Sequence, residues 1–168
     1  RLTEAGRLTQ TTILMYDPAL QSFVEHFRHE QSHSTKRAAP ERDSWQLSRS
    51  SPVVQWLTRE NRLWLKQDLE GHEITPEAQS VHEELEQLDA SAVFGVSGSQ
   101  GLTGIVILGS KLNNQPFNQR DIEILHALQT QIENFLLQAM VVTQESMNMV
   151  KDSHDMKNDV NALRGRIA

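Results

Sequence analysis

The sequence predicts an α+β fold, in which an antiparallel sheet is flanked by helices and followed by one long C-terminal helix with coiled-coil character. Short β-branched and apolar segments alternate with turn residues, as in antiparallel strands. Ser-Pro and Thr-Pro pairs precede amphipathic segments, as at helix starts. The last quarter of the chain repeats apolar residues at steps of three and four. We assign a domain to residues 1–140 and an extension to residues 141–168.

Composition excludes several classes of function. The net charge is -6 and the basic residues are scattered, which argues against a nucleic-acid-binding face. The chain has no cysteine, so it can form no disulfide, thiolate metal site, cysteine nucleophile or thioether-linked chromophore. No apolar run approaches the roughly 20 residues of a membrane-spanning helix, and no signal peptide is visible.

These features also predict a location. We expect no membrane contact by these residues and a cytoplasmic location, either free or as the cytoplasmic part of a membrane-anchored protein. Because the first residue is not methionine and the helical pattern continues to the last residues, we expect the chain to be part of a longer protein.

The N-terminal segments predict a hairpin. Residues 1–8 are short and partly apolar, and they predict the end of a preceding helix. Residues 11–16 are β-branched and apolar, Asp17-Pro18 is a turn signal, and residues 20–27 alternate between two faces, which together predict two paired strands. Residues 29–44 are polar with little to bury, so they predict a loop.

The middle of the chain predicts two helices between short strands. A strand at residues 45–47 precedes a helix that begins at Ser51-Pro52, with the serine as its cap. Residues 63–65 predict a brief strand, and Thr75-Pro76 begins the second helix.

A second hairpin carries the clearest strand signal. Residues 91–96 and 102–108 are apolar and flank a turn at residues 98–101. Asn118 then caps the final helix, and Asp121 lies in its first turn, where a carboxylate suits the helix dipole.

The final helix carries a heptad repeat. Its seam consists of Leu125, Leu128, Ile132, Phe135, Ala139, Val142, Ser146, Met149, Ser153, Met156, Val160, Leu163 and Ile167. No proline follows Pro116, and Gly165 is the only glycine after Gly109, so one long helix is predicted. A helix with such a seam needs a partner, and we expect a homodimer through it.

The heptad places His154 just outside the seam, where its imidazole is open to solvent or to a docking protein. Asp155 can orient the ring or accept its proton, while Lys157 and Asn158 lie within a turn and can contact an incoming phosphoryl group. The alternative is an ordinary surface histidine on a charged helix, as most such residues are.

The run His154-Asp155-Met156-Lys157-Asn158 resembles the phosphoacceptor motif of sensor histidine kinases, in which the histidine is followed by an acidic, an apolar and a basic residue and then Asn or Thr. In that family the motif lies on the first helix of a dimeric four-helix bundle. The resemblance implies that His154 accepts the phosphoryl group, that Asp155 is its acid/base partner and that Asn158 positions water in the reverse, phosphatase reaction. Asp159 stands where the family often has a proline, so the kinase subclass stays open.

The same resemblance implies partners outside the chain. A histidine kinase uses a separate ATP-binding domain and passes its phosphoryl group to the receiver domain of a response regulator. No motif for ATP binding occurs in the 168 residues, so ATP would act only through that further domain. We expect the chain alone to be catalytically inactive.

The domain resembles a GAF domain over roughly residues 1–140. Residues 51–57 are similar to the family's short helix beside its pocket, and residues 90–96 and 101–109 to its last two strands. Residues 116–125 are similar to the aromatic, capping and Asp-hydrophobic opening of its terminal helix. The resemblance implies a GAF/PAS-like sheet that holds a small molecule, or nothing, against the helices of one face.

Six residues are candidates for lining such a cavity, namely Tyr16, Trp45, Trp56, Trp64, His82 and Phe94. Large aromatic side chains are more often core than ligand cage, because their burial stabilises the fold, and both interpretations stay open. His82 has the chemistry of a haem ligand, although a lone helical histidine is more often structural. The absence of cysteine excludes covalent bilin attachment, no metal site is expected, and any other cofactor is left unknown.

Two functions therefore stay open. The first is the cytoplasmic sensory and dimerisation region of a two-component sensor histidine kinase, which relays a signal through the C-terminal helix to His154. The alternative is a ligand-free structural dimerisation GAF module, or a GAF regulator of another output domain such as a cyclase or phosphatase, in which His154 is incidental.

Overall fold

The computed structural model describes residues 7–31, 43–69 and 74–139, and the single positions 149 and 151. Its elements are β1 (Gln10–Asp17), β2 (Ser22–Glu30), β3 (Gln46–Ser48), α1 (Pro52–Glu60), β4 (Trp64–Leu65), a 3₁₀ turn (Lys66–Leu69), α2 (Pro76–Gln87), β5 (Ala92–Gly98) and β6 (Gly101–Leu108). A final helix, α3, begins at residue 119 and is described as far as residue 139. The predicted α+β class is confirmed.

The six strands form one antiparallel sheet in the order β3-β2-β1-β6-β5-β4. β1 pairs with β6 at the centre, so the two predicted hairpins are joined side by side. The turn signals act as expected. Asp17 Oδ1 accepts a hydrogen bond from the backbone N–H of Ala19 at 2.8 Å, and Gly101 takes a φ of 104°, which glycine adopts without strain.

The predicted helix caps are all present. Ser51 Oγ accepts from the N–H of Val54 at 3.5 Å ahead of Pro52. Thr75 Oγ1 accepts from the N–H of Ala78 at 3.2 Å. Asn118 Oδ1 accepts from the N–H of Asp121 at 2.9 Å, which begins α3 where the sequence predicts it.

A bulge in β2 changes which side chains face the core. Ile13 pairs with Phe27 and Leu14 pairs with Glu25, so His26 is an extra residue in the ladder. A strict alternation would put Phe27 on the same face as Phe23. The bulge instead turns Phe27 to the opposite face, where it is 51% exposed. β2 also continues to Glu30, into the segment that the sequence predicts as a loop.

Each face of the sheet carries its own apolar cluster. On the α1/α2 face the buried residues are Leu14, Phe23, Leu47, Val53, Val54, Leu57, Trp64, Val81, Leu85, Leu88, Ala90, Val93, Ile105 and Ile107. On the α3 face they are Leu65, Ala92, Phe94, Val96, Val106, Leu108, Phe117 and Leu125. β5 and β6 supply both clusters from alternate positions, which explains why their sequences are apolar almost throughout.

Candidate functional site

The predicted ligand residues fall on both faces of the sheet. Trp64 is buried on the α1/α2 face, and Tyr16, Trp45 and Trp56 pack partly buried against the same cluster. Phe94 is also fully buried, but it belongs to the cluster on the α3 face. Successive residues of a strand point to opposite sides of the sheet, so one strand supplies both faces. A cavity between the sheet and the helices α1 and α2 would therefore not include Phe94.

Side chains fill the centre of the α1/α2 face. Leu14, Leu57, Leu85 and Ile105 are each completely buried there. They occupy the region in which the GAF resemblance implies a cavity, and the partly buried aromatic residues pack around them. This packing is what a stabilising core requires.

His82 lies half-buried on α2 beside Trp64, with the two ring centroids 6.3 Å apart. Its Nε2 is 3.4 Å from Glu86 Oε1, and the same oxygen is 3.4 Å from Lys66 Nζ. The Nδ1 atom of His82 is buried and has no hydrogen-bond partner among the described residues. The imidazole thus packs against an indole and pairs with a carboxylate near the β4 edge of the sheet.

Arg28 forms a polar cluster at the opposite edge that the sequence did not predict. Its guanidinium lies 4.4 Å from the centroid of the Trp45 ring and pairs with Glu25. Glu25 Oε2 also accepts from the backbone N–H of Trp45 at 3.0 Å, and Glu30 Oε1 lies 3.8 Å from Arg28 Nη1. No sequence signal marks this cluster, because the bulge at His26 alone brings Arg28 to this face.

Among the depressions on the described surface, two are of interest. One, of about 540 Å³, lies at the start of α1, and its lining includes four serines and Glu84. There Glu84 Oε2 accepts from Ser51 Oγ at 2.7 Å and from the N–H of Val53 at 2.9 Å, so a side chain of α2 caps α1. The other, of about 350 Å³, lies between the β4 turn and the segment before α3. Neither is lined by the predicted ligand residues.

Two hydrogen bonds fix α3 to β5. Gln129 is 8% exposed and donates its Nε2 to the carbonyl oxygen of Gly95 at 2.8 Å. Glu133 Oε1 accepts from the N–H of Ser97 at 3.0 Å, beside a bulge in the β5–β6 ladder. The hydroxyl of Ser97 lies 3.4 Å from Oδ1 of Asn61, the residue that ends α1. Ser97 therefore contacts both helix layers.

A buried ion pair holds the start of α3. Lys111 Nζ lies 2.7 Å from Asp121 Oδ2, with the side chains 6% and 24% exposed. The same oxygen accepts from the N–H of Asn118 at 2.9 Å. Burial raises the pKa of Asp121, but the hydrogen bonds from Lys111 and Asn118 and the nearby positive charges outweigh it. The pKa of Asp121 therefore lies below its ordinary value of 3.8.

The predicted heptad seam divides between two environments on α3. Leu125 is buried and Ile132 packs against the sheet. Leu128 and Phe135 face away from it and are 39% and 69% exposed. Within the domain the seam is therefore not uniform, because the sheet takes up one side of it.

The predicted phosphoacceptor residues His154, Asp155 and Asn158 lie outside the described residues, so their roles stay predictions. Met149 and Lys151, which precede them, are helical and exposed. Within the described ranges, no group of three or more His, Asp or Glu residues is placed to hold a metal ion. None of the helices in those ranges combines the length and apolar character needed to cross a lipid bilayer.

Comparison with known proteins bears on the fold. No family model matches the chain, and no curated protein matches its sequence. The red light-absorbing state of NpR6012g4, a red/green cyanobacteriochrome, is similar with a TM-score of 0.51 at 13% identity, over 81% of this chain and 86% of that chain. Its green light-absorbing state gives a TM-score of 0.52 at 13% identity, over 82% and 87%.

Residues 122 to 287 of a methyl-accepting chemotaxis protein are similar with a TM-score of 0.49 at 13% identity, over 76% of each chain. Because only 13% of the residues are identical, the similarity to the cyanobacteriochrome concerns the fold alone. Together with the strand order and the placement of the helices on both faces, it shows that the chain has a GAF-like fold.

Proposed function

We propose that the chain is the cytoplasmic sensory and dimerisation region of a two-component sensor histidine kinase, which relays a signal through α3 to His154. The observation that carries this proposal is the attachment of α3. A GAF-like domain holds the helix on β5 through Gln129 and Glu133. From there the sequence continues in heptads to the run His154-Asp155-Met156-Lys157-Asn158.

A signal at the α1/α2 face has a short path to α3. Asn61 ends α1 and contacts Ser97, whose N–H is bonded to Glu133. A displacement of α1 would be transmitted through β5 to α3 and then to residues 138–151. This shift would change how His154 is presented to the separate ATP-binding domain. Serines at two seam positions, Ser146 and Ser153, weaken the seam locally and favour two packings of similar energy.

In the proposed reaction, His154 takes a phosphoryl group from ATP held by a separate domain. An imidazole nitrogen attacks the γ-phosphorus, the bond from that phosphorus to the β–γ bridging oxygen breaks, and ADP leaves. Asp155 accepts the imidazole proton. The receiver domain of a response regulator then takes the phosphoryl group. In the opposing phosphatase reaction, Asn158 positions the water.

The test is ATP-dependent phosphorylation of the complete gene product that contains this chain. We expect an acid-labile phosphoryl label that His154→Gln abolishes. The matched control is His126→Gln, at an exposed position on α3, which should keep the label. Label that survives His154→Gln would remove this histidine from the mechanism, and a gene product without an ATP-binding domain would contradict the kinase assignment.

A second candidate is a structural dimerisation module, or a regulator of another output domain. The packing of the α1/α2 face favours it, because Leu14, Leu57 and Leu85 are completely buried in the region where the GAF resemblance implies a cavity. Native mass spectrometry of freshly purified protein separates the two candidates. A mass above that of the polypeptide supports a ligand-binding sensor, and the bare polypeptide mass supports the structural module.

A further inference from the structure

The depression of about 350 Å³ between the 3₁₀ turn after β4 and the segment before α3 is lined by two lysines, Lys66 and Lys111, and by serine hydroxyls and side-chain amides. Among the described residues that line it, none is acidic, although the whole chain has a net charge of -6. We propose that this depression binds the phosphate group of a small molecule, either free phosphate or a phosphomonoester.

The ends of three strands form one wall of the depression. The N–H of Lys66 donates to the carbonyl oxygen of Ser91 at 2.9 Å, and the N–H of Ser91 donates to that of Leu108 at 2.8 Å. Ser110 follows β6, and its carbonyl oxygen accepts from the N–H of Thr9 at 2.8 Å. The hydroxyl groups of Ser91 and Ser110 make no hydrogen bond within the described residues, so each can donate to an oxygen of a bound phosphate.

A two-way contact holds the opposite wall. Gln67 Nε2 donates to the carbonyl oxygen of Phe117 at 2.9 Å, and Gln67 Oε1 accepts from the N–H of Phe117 at 2.8 Å. The turn that leads to this wall is closed by the N–H of Asn114, which donates to the carbonyl oxygen of Lys111 at 2.8 Å. Both walls are therefore fixed without a ligand, which lowers the entropy cost of binding one.

Lys111 supplies a buried positive charge, since its side chain is only 6% exposed. A lysine ammonium has three N–H donors, and the contact with Asp121 Oδ2 at 2.7 Å uses one of them. The same oxygen of Asp121 accepts from the N–H of Asn118, so this carboxylate also serves the first turn of α3. Two donors of Lys111 are left for an anion in the depression.

Lys66 supplies a second charge, on a side chain that is 42% exposed and lies 3.4 Å from Glu86 Oε1. A phosphate group carries about 1.5 to 2 negative charges at neutral pH, so two ammonium groups balance it better than they balance a single carboxylate. Lysine binds phosphate in many proteins as a point charge. The volume of about 350 Å³ lies within the range of roughly 300–1,000 Å³ for small-molecule sites, which leaves room for the rest of a phosphomonoester.

The test is a titration of the ¹⁵N-labelled 168-residue chain with inorganic phosphate at constant pH and ionic strength, followed by amide chemical shifts. We expect saturable shifts at Ser91, Ser110 and Lys111, and no such shifts in sodium chloride of the same ionic strength. Chemical shifts are a better readout here than thermal melting, because phosphate raises the stability of many proteins by exclusion from their surfaces.

Lys66→Gln should raise the dissociation constant of phosphate about tenfold, because a charge-assisted hydrogen bond is lost. The matched control is Arg62→Gln, which removes the same charge at a position that is 72% exposed and outside the lining. It should change the constant by less than about twofold. Equal weakening by the two substitutions would mean general attraction between charges and would overturn the proposal.

Lys111→Met should abolish the saturable shifts, but it also takes the partner from Asp121. Circular dichroism must therefore show that this variant is folded. Lys66→Gln breaks no buried ion pair, so it decides the question if Lys111→Met does not fold.

A second titration with glycerol phosphate separates the two sources of the phosphate group. A lower dissociation constant than that of inorganic phosphate identifies a phosphomonoester as the ligand, and an equal or higher constant identifies free phosphate. Shifts that never saturate, or that spread over basic residues outside the depression, contradict a site there. The inference does not depend on the proposed function, because phosphorylation of His154 in the complete gene product is measured separately.

Discussion

Glu84 is a single residue that joins two helices. Its carboxylate accepts hydrogen bonds from Ser51 Oγ and from the N–H of Val53, so it stands at the positive end of the α1 dipole. The first turn of α1 has no acidic residue of its own. Ser51 is recognisable as a cap from local sequence, whereas Glu84 is not, because the contact joins α1 to a distant position on α2.

We expect Glu84→Ala to lower the free energy of unfolding by about 1–3 kcal/mol, because a buried hydroxyl and a backbone N–H lose their shared acceptor. Glu83→Ala is the control, since Glu83 is exposed on the same helix. This substitution should change the free energy of unfolding by less than about 0.5 kcal/mol. Urea denaturation of both variants gives the comparison. Equal losses in the two would show that the cap adds nothing.

Asp121 makes stability depend on pH at the acid end. Its pKa is lowered in the folded state, so the unfolded chain binds the proton more tightly. The stability that Asp121 contributes is present above its ordinary pKa of 3.8 and is lost as the pH falls through the lower folded value. Its partner Lys111 is buried, so the pair is only weakly screened by solvent.

Asp121→Asn should therefore cost about 2–3 kcal/mol near neutral pH, because the buried Lys111 ammonium loses its carboxylate. The difference from the native chain should shrink as the pH is lowered from about 5 to about 2.5. Thermal midpoints of both proteins across this range measure it. A difference that stays constant with pH would exclude the ionised carboxylate as the cause.

Among the elements, α3 depends on β5 for its position. We expect Gln129→Ala to leave the carbonyl of Gly95 without its buried donor and to cost about 1–3 kcal/mol. Amide hydrogen exchange should accelerate in α3 more than in α1. Gln131→Ala, at an exposed position two residues away, should leave exchange unchanged. Uniform acceleration across the domain would indicate global destabilisation instead of a local attachment.

The elements themselves could largely be predicted from sequence. Ser51, Thr75 and Asn118 begin their helices as expected, because caps are local interactions. The β2 bulge could not be predicted, since it depends on how β2 pairs with β1, and the Arg28 cluster and the exposure of Phe27 follow from it. The different surroundings of Leu125 and Leu128 could not be predicted either, because a heptad pattern does not show that the sheet covers one side of α3.

For the candidate site, the sequence indicated only in part on which face of the sheet each predicted ligand residue lies. Four aromatic candidates do share the α1/α2 face, as an apolar pattern suggests. Phe94 lies across the sheet because strands buried on both sides leave no polar residue to mark which face is which.

On the scale of the whole molecule, one sheet is shared by both helix layers, so we expect the domain to unfold as a unit. Phe94→Ala should lower the free energy of unfolding by about 3–5 kcal/mol, because it leaves a cavity in the apolar cluster on the α3 face. Trp45, Trp56 and Trp64 all report on the other face. Their fluorescence and far-UV circular dichroism should nevertheless show coincident unfolding transitions. Separate transitions would mean that the two layers unfold independently.

The attachment of α3 also determines how this domain can be exchanged between proteins. Because Gln129 and Glu133 hold one side of the helix on β5, the domain sets the rotational phase with which the chain reaches residue 139. Each residue inserted after that point turns the following positions by about 100°. In a coiled coil with about 3.5 residues per turn, a chimaera with a foreign helix keeps the phase when residues are gained or lost in multiples of seven. Under the proposed function, the unit of recombination between sensor and output is therefore the heptad, and not the domain boundary.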